Sequence, residues 1–243
     1  MTNGSDDVEA IAMSPDGSTL ISGGSDKTIK VWNLASGGLQ RALAGYKSFS
    51  TCLALSPDGK TLVSSSWYKE TVKVWNFETG EVKLGWVYES GKCRKVNSLV
   101  ISPDGKTLYI GTKDGSTYYW NINTGKKLGN LGTASSESSL LARSADGRIL
   151  AGTYTGTFIV RSLPERKRRF RVATGHNSPS LAISPDGETV FISDYDGNIH
   201  LWDSHQGKEL SALGGHSGIV TAIGVSPDGH LLTSGDERGI IKL

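Results

Sequence analysis

Cysteine is scarce: Cys52 and Cys93 are the only two in 243 residues, too few for a disulfide framework, and both read as free thiols of a reducing compartment. Proline is sparse as well, with 7 residues against 31 glycines, which excludes a proline-rich spacer and fits many tight turns. Neither sign of charge dominates. Lys+Arg of 26 against Asp+Glu of 24 leaves a formal +2, so no whole-molecule field is available to hold nucleic acid or an acidic membrane. Long apolar runs are missing: nothing approaches the ~18–20 residues that span a bilayer, and the opening Met1–Asp7 stretch is polar and acidic, without the apolar run of a signal peptide. The expectation is a soluble, cytoplasmic chain with no membrane insertion. A 3.6-residue apolar period over ten or more residues is also lacking, which argues against helical architectures.

What the sequence has is one device repeated. Ser-Pro-Asp-Gly stands at Ser14, Ser56, Ser102, Ser184 and Ser226, with a worn copy, Ser144-Ala145-Asp146-Gly147, between the third and the last two. The steps are 42, 46, 42, 40 and 42 residues. Proline suits the second position of a type I turn and glycine the fourth, where a positive φ is tolerated. Each turn is flanked by short alternating runs. Ile29 and Val31 face one way and Lys30 and Trp32 the other, the period-2 pattern of a strand. Asp114-Gly115 and Asp196-Gly197 are favoured pairs for two-residue hairpin loops. A long connection is expected from Gly80 to Asn97, carrying Trp86, Tyr88, Cys93, Arg94 and Lys95. Copy four is the most eroded, with Arg161 where the others have tryptophan, and copy six stops one residue before its expected tryptophan.

A three- or four-stranded sheet this short is not stable alone. Packing each sheet face to face with the copies before and after buries both faces, and a closed ring leaves no sheet unpartnered. A fixed period of about 42 residues with one tryptophan per unit is the pattern of propeller blades. The expected fold is therefore all-β: a β-propeller of six visible blades in a single domain over residues 1–243. The blades fall at about 1–44, 45–90, 91–132, 133–174, 175–214 and 215–243, the last of them incomplete.

The residues that carry a resemblance are Gly175-His176, Gly215-His216, Val31-Trp32-Asn33, Val74-Trp75-Asn76, Tyr119-Trp120-Asn121, Leu201-Trp202-Asp203 and the Ser-Pro-Asp-Gly turns. Together they resemble WD-repeats over essentially the whole chain. The resemblance implies a buried structural network in each blade, built from a histidine before the first strand, a serine on the second, a turn aspartate and the tryptophan. Carried over, copy one offers Ser22, Asp26 and Trp32, copy three Asp114 and Trp120, and copy five His176, Asp196 and Trp202, with Ile192 in the serine's place. Copy six offers His216 and Ser234, with Arg238 in place of the aspartate. No blade is complete, which implies a looser ring than a consensus propeller. Family topology also implies four strands per blade. The last blade therefore either keeps three strands or is completed by chain not present, the sequence being an excerpt of a longer propeller.

Candidate chemistry is thin. Ser66-Trp67-Tyr68-Lys69 matches a Ser-x-x-Lys pattern but lies in a hairpin turn, without the partner motifs. Asp194-Tyr195-Asp196-Gly197-Asn198 resembles the start of a calcium loop but lacks the later ligands, so a plain turn is expected. His200 and His205 have neither the spacing nor the companions of a zinc site. Gly-x-Ser-x-Gly, a phosphate-binding glycine loop and Cys-x-x-Cys are all missing. No enzyme, no cofactor and no metal is expected.

Two surface features remain. Tyr68, Tyr154 and Tyr195 sit one residue before the aspartate position of the turn between second and third strands, with Trp67 beside them. The resemblance places these turns on one rim with the loops into each first strand, which bring Tyr46, Glu9, Thr51, Asn97, Ser139 and Thr221. Exposed aromatics on a rigid rim make a protein-binding hot spot, against which stands the plainer reading that they cover neighbouring turns. The basic run Arg166-Lys167-Arg168-Arg169-Phe170-Arg171 offers phosphate or acidic-lipid binding, against the plainer reading of a charged outer strand that resists edge-to-edge pairing. The function expected is a non-catalytic protein–protein interaction scaffold, monomeric if the ring closes, with the phosphate-binding run as an alternative and a six-bladed-propeller hydrolase as a lesser one.

Overall fold

Alternating apolar and polar residues between tight turns give strands, and the computed structural model contains nothing else regular among its described residues, 7–44, 50–66, 71–87, 95–133, 140–175 and 177–243. Tyr46, Trp67, Tyr68, Lys69, Cys93, Ser139 and His176 lie outside them. The strands form six antiparallel sheets. Sheet one holds β1 (Val8–Met13), β2 (Thr19–Gly24), β3 (Thr28–Asn33) and β4 (Leu39–Ala44). Sheet two holds β5 (Ser50–Leu55), β6 (Thr61–Ser66), β7 (Thr71–Asn76) and β8 (Val82–Val87). In sheet three are β9 (Val96–Ile101), β10 (Thr107–Thr112), β11 (Ser116–Asn121) and β12 (Lys127–Thr133). Sheet four is β13 (Leu140–Arg143), β14 (Ile149–Tyr154), β15 (Thr157–Ser162) and β16 (Lys167–Ala173). Sheet five is β17 (Leu181–Ile183), β18 (Thr189–Ser193), β19 (Ile199–Asp203) and β20 (Glu209–Leu213). Sheet six stops at three strands, β21 (Val220–Val225), β22 (Leu232–Asp236) and β23 (Ile241–Lys242). Every sheet keeps chain order, as a meander does.

The chain divides into two compact units, Met1–Gly132 with the first three sheets and Thr133–Leu243 with the last three. In the first unit Ile21, Ile29, Leu43, Leu53, Leu62 and Trp75 form one buried cluster between sheets one and two, and Cys52, Val63, Val74, Leu99, Leu108 and Ile110 belong to a second between sheets two and three. In the second unit Ile149, Phe158, Val160, Ile183, Val190 and Ile192 do the same between sheets four and five. Burying each such side chain stabilises by about 1.5–3 kcal/mol, which is why a sheet that is marginal alone becomes stable against its neighbour. Ile11 and Met13 are 65% and 55% exposed, whereas Leu53, at the place in sheet two equivalent to Ile11, is 9% exposed.

All six Ser-x-Asp-Gly turns fold alike. The glycine N–H donates to the serine carbonyl at 2.9–3.0 Å, closing a four-residue turn in which the glycine has φ of 68 to 79°. The serine hydroxyl donates to the aspartate at 2.5–2.6 Å while accepting the backbone N–H five residues on. The worn copy at Ser144 keeps every one of these bonds, because the proline it lost donates none of them. In five turns the serine hydroxyl is the chief cause holding the aspartate below its ordinary range. At Asp146 burial pushes upward, and the Ser144 hydroxyl and the Arg148 N–H outweigh it.

The residue after Trp32, Trp75, Trp120 and Trp202 makes the next turn. The side chains of Asn33, Asn76, Asn121 and Asp203 accept backbone N–H groups two or three residues on, at 2.7–3.3 Å. The turns end in a left-handed residue: Gly37, Gly80, Gly125 and Gly207 in four copies, but Arg166 (φ 59°) in copy four. Lys27 (φ 66°) likewise stands where Gly115, Gly156, Gly197 and Gly239 serve other hairpins. An L side chain is disfavoured there by about 1–2 kcal/mol. Lys27 is exposed, so Lys27→Gly is expected to stabilise the chain by about 0.5–1 kcal/mol, read as a higher urea midpoint with an unchanged m-value.

One expected connection is corrected. Gly80–Asn97 is not a continuous loop, since Val82–Val87 forms the outer strand β8, and Trp86 stacks on Trp120 with ring centroids 5.6 Å apart. Residues 88–94 lie outside the described set.

Candidate partner-binding surface

The hairpins between second and third strands carry the polar chemistry, and their loop length decides it. Five of the six registers are described at the loop or beside it. In sheet five Asp194 N–H bonds the Asn198 carbonyl at 3.0 Å, leaving a three-residue loop, Tyr195-Asp196-Gly197, rather than the two-residue loop expected from Asp196-Gly197. The clamp of that loop is Asp194, which is buried. Its carboxylate accepts from Asp196 N–H (2.9 Å), Asn198 N–H (2.8 Å), Asn198 Nδ2 (2.9 Å) and His200 Nε2 (3.1 Å). Asp196, given the network role from the sequence, is exposed and contributes only its backbone. Sheet six repeats the correction: the working aspartate is Asp236, bonded to His216 Nδ1 at 3.0 Å and to the N–H groups of Arg238 and Ile240, and Arg238 replaces nothing. In copies one and three the aspartate sits two residues later, within the loop. Asp26 holds Thr28 and Lys30 (2.7 Å), and Asp114 holds Thr112 and Ser116.

Copy four has a loop one residue shorter. Tyr154 pairs with Thr157 across Thr155-Gly156, so Tyr154 remains in β14 and is 4% exposed. Counted from the serine of the preceding turn, Tyr154 stands where Asp194 and Asp236 stand. A rim tyrosine was expected here; the shorter loop draws it into the sheet instead. Tyr195, one position into the longer loop, is 52% exposed.

The tryptophan–serine bond is present where the serine is. Trp32 Nε1 donates to Ser22 at 2.9 Å and Trp75 Nε1 to Ser64 at 2.6 Å. Ile192 replaces the serine in copy five, and the buried Trp202 N–H there meets no acceptor among the described residues. Ser234, His216 and Asp236 form a chain at 2.7 and 3.0 Å that matches a nucleophile–base–carboxylate order. Burial of all three side chains fits a structural network, since a nucleophile must reach its substrate.

Around Tyr195 a surface does assemble within the second unit. A Cβ on Gly197 would lie 2.5 Å from the His216 carbonyl, so this turn abuts the loop leading into β21. Ser193 Oγ donates to the Val220 carbonyl at 2.9 Å, and Arg238 Nη1 to Ser217 Oγ at 3.1 Å. Tyr195, Asp196, Ser217, Thr221, Glu237 and Arg238 are exposed there. Glu9 is exposed on β1 of the first unit. Behind Tyr195, His200 bridges Asp194 and Glu209 Oε1 (2.7 Å). Burial pulls its pKa down, but the bonds from both carboxylates outweigh this and leave it raised above 6.5.

Lys167–Arg171 of the basic run lie on β16, the outermost strand of sheet four, and Arg166 ends the turn before it. Arg169 is the extra residue of a bulge opposite Val160-Arg161; its Nε donates to Ser162 Oγ at 2.7 Å and its Nη1 lies 2.8 Å from His205 Nδ1. His205 in turn reaches Glu188 at 3.1 Å.

Comparison with known proteins agrees with this geometry. Residues 1–243 match the family described as IFT122 first beta-propeller. The chain belongs to that family. This WD-repeat propeller is 27% identical over 239 residues to Autophagy-related protein 16 of Arabidopsis thaliana, covering 95% of the chain and 46% of the relative. It is 26% identical over 234 residues to Angio-associated migratory cell protein of Homo sapiens, covering 94% and 43%. With Guanine nucleotide-binding protein subunit beta of Nicotiana tabacum it shares 25% over 268 residues, covering 97% and 69%. The propeller spans less than half the length of the first two. WD-repeat propellers are typically protein-interaction scaffolds.

Proposed function

We propose that the chain is a non-catalytic interaction platform whose second unit offers the surface around Tyr195 to a partner protein or peptide. One observation carries this reading: a large aromatic side chain stands half in solvent on a loop that four bonds to Asp194 hold rigid. Aromatic anchors on preorganised loops make hot spots because little conformational entropy is lost on docking. The exposed charges of Asp196, Glu237 and Arg238 supply a polar rim. No helix among the described residues is long and apolar enough to cross a membrane, and a cytoplasmic setting suits two thiols of which Cys52 is buried.

The test places a photo-crosslinking phenylalanine analogue at position 195 and, as a control, at position 192, which is buried. A partner adduct from 195 alone is expected, and Tyr195→Ala should weaken that partner's binding about tenfold or more without moving the melting temperature. Equal capture by Tyr195→Ala removes this surface from the account.

A further inference from the structure

β16 is an edge strand with one hydrogen-bonded neighbour, β15, so its outer edge presents backbone groups unpaired by any described strand. Such edges are ordinarily blunted by charge, and this one is blunted by charge of a single sign. Lys167, Arg168 and Arg171 are exposed, and their side chains make no hydrogen bond or ion pair among the described residues. Arg168 also lies directly opposite Arg161 on β15. Phe170 and Val172 alternate inward and pack on the core cluster, which turns Arg171 between them outward. The ring of Phe170 meets Phe158 edge-on at 5.9 Å and fills the space beside Gly207, so the strand has little freedom to rotate. Arg169 is steered aside by Ser162 and His205 and does not join the row.

The result is a broken row of three cations, Lys167 and Arg168 before the bulge at Arg169 and Arg171 after it, within about 13 Å of strand at about 3.3 Å per residue, along an open backbone edge. A single phosphate needs converging donors; a row does not converge. We propose that this edge receives an extended acidic segment of a partner protein, added as a fifth strand to sheet four. Main-chain bonds would supply affinity, and carboxylates on alternate residues would meet Arg168 and Arg171, which the register places on one face, with Lys167 adding charge from the other. The same charges that repel a neutral or basic edge would select an acidic one. The inference deepens the interaction-platform reading and rests on it, while using a different surface from Tyr195.

The test uses the full chain and a fluorescein-labelled ten-residue peptide alternating glutamate and valine, followed by anisotropy. A matched peptide with proline at two central valines cannot complete the strand bonds. Expected results are saturable binding of the first peptide, weakened about tenfold or more between about 0.05 and 0.5 M salt, and at least about tenfold weaker binding of the proline peptide. Lys167→Glu/Arg168→Glu/Arg171→Glu should abolish binding, and the milder Arg168→Gln/Arg171→Gln should weaken it with the melting temperature unchanged. Equal binding of both peptides would reduce the edge to unspecific charge and overturn the proposal. So would binding confined to phosphatidylserine vesicles, or competition by inorganic phosphate at low millimolar level. Tyr195→Ala should leave peptide binding intact. Loss there would move the site to the Tyr195 surface, sparing the platform reading and ending this one.

Discussion

Trp75→Ala is expected to cost about 3–5 kcal/mol, a large share of the about 5–15 kcal/mol that holds a folded chain together, read as a lower urea midpoint. The side chain is 1% exposed and packs among Ile21, Ile29, Leu53 and Leu62 between sheets one and two. Its loss would open a cavity against two sheets at once, neither of which can close over it without breaking strand register. The indole also donates to Ser64 at 2.6 Å. Ser64→Ala should therefore cost about 1–3 kcal/mol, because it strands a buried N–H rather than merely removing a hydroxyl. A contrast between copies separates the bond from the bulk. Trp75→Phe loses both area and hydrogen bond, whereas Trp202→Phe loses area alone, since Trp202 Nε1 has no acceptor among the described residues. Urea titrations should show the Trp75 change as the more costly by about 1–2 kcal/mol; equal costs would deny the bond any role.

Asp194→Ala is expected to cost about 2–4 kcal/mol and to loosen the Tyr195 loop with it. Four donors lose their acceptor, among them the backbone N–H groups of Asp196 in the loop and of Asn198, which closes it. The clamp also predicts a pH signature of two opposite signs. Burial raises the Asp194 carboxyl, yet the Asn198 and His200 bonds outweigh it and leave its pKa below 3.8 in the folded chain. A lowered carboxyl stabilises the fold above its unfolded value, and this contribution is lost as pH falls through the folded value. The six turn aspartates act in the same direction, so stability should fall steeply below about pH 4. His200 runs the other way: with its folded pKa above 6.5, its contribution is full below that value and fades as pH rises through the folded one. In an NMR titration the His200 midpoint should lie above 6.5 in the wild type and drop in Asp194→Ala and in Glu209→Gln. A wild-type midpoint at or below 6.5 would contradict the bridge.

The features legible in the sequence were those set within one strand or one turn. Ser-x-Asp-Gly specifies its own bonds, so even the copy at Ser144 was readable without its proline. Alternation at Ile29–Trp32 placed the core, and of the two alternatives left open for the last blade, sheet six shows three strands among the described residues. What misled was counting across a hairpin. Measured back from the tryptophan, Tyr154 and Tyr195 are equivalent and Asp196 is the clamp. Measured forward from the serine turn, Tyr154 aligns with Asp194, and the structure follows the second count because the copy-four loop lacks a residue. Loop length is a property of two paired strands, which a single strand's pattern does not contain. The bulge that turns Arg169 toward His205 was hidden for the same reason, since those residues lie 36 apart and meet only through sheet packing.

The account holds that second and third strands, clamped between neighbouring sheets, carry the stability, while outer strands and loops are left for partners. Amide hydrogen exchange followed by mass spectrometry tests this most directly. Peptides from β6, β10, β14 and β18 should exchange slowest, and those from the outer strand β20 fastest, with β16 slowing when the glutamate–valine peptide is bound. Outer strands exchanging as slowly as β6 and β14 in the free chain would contradict it.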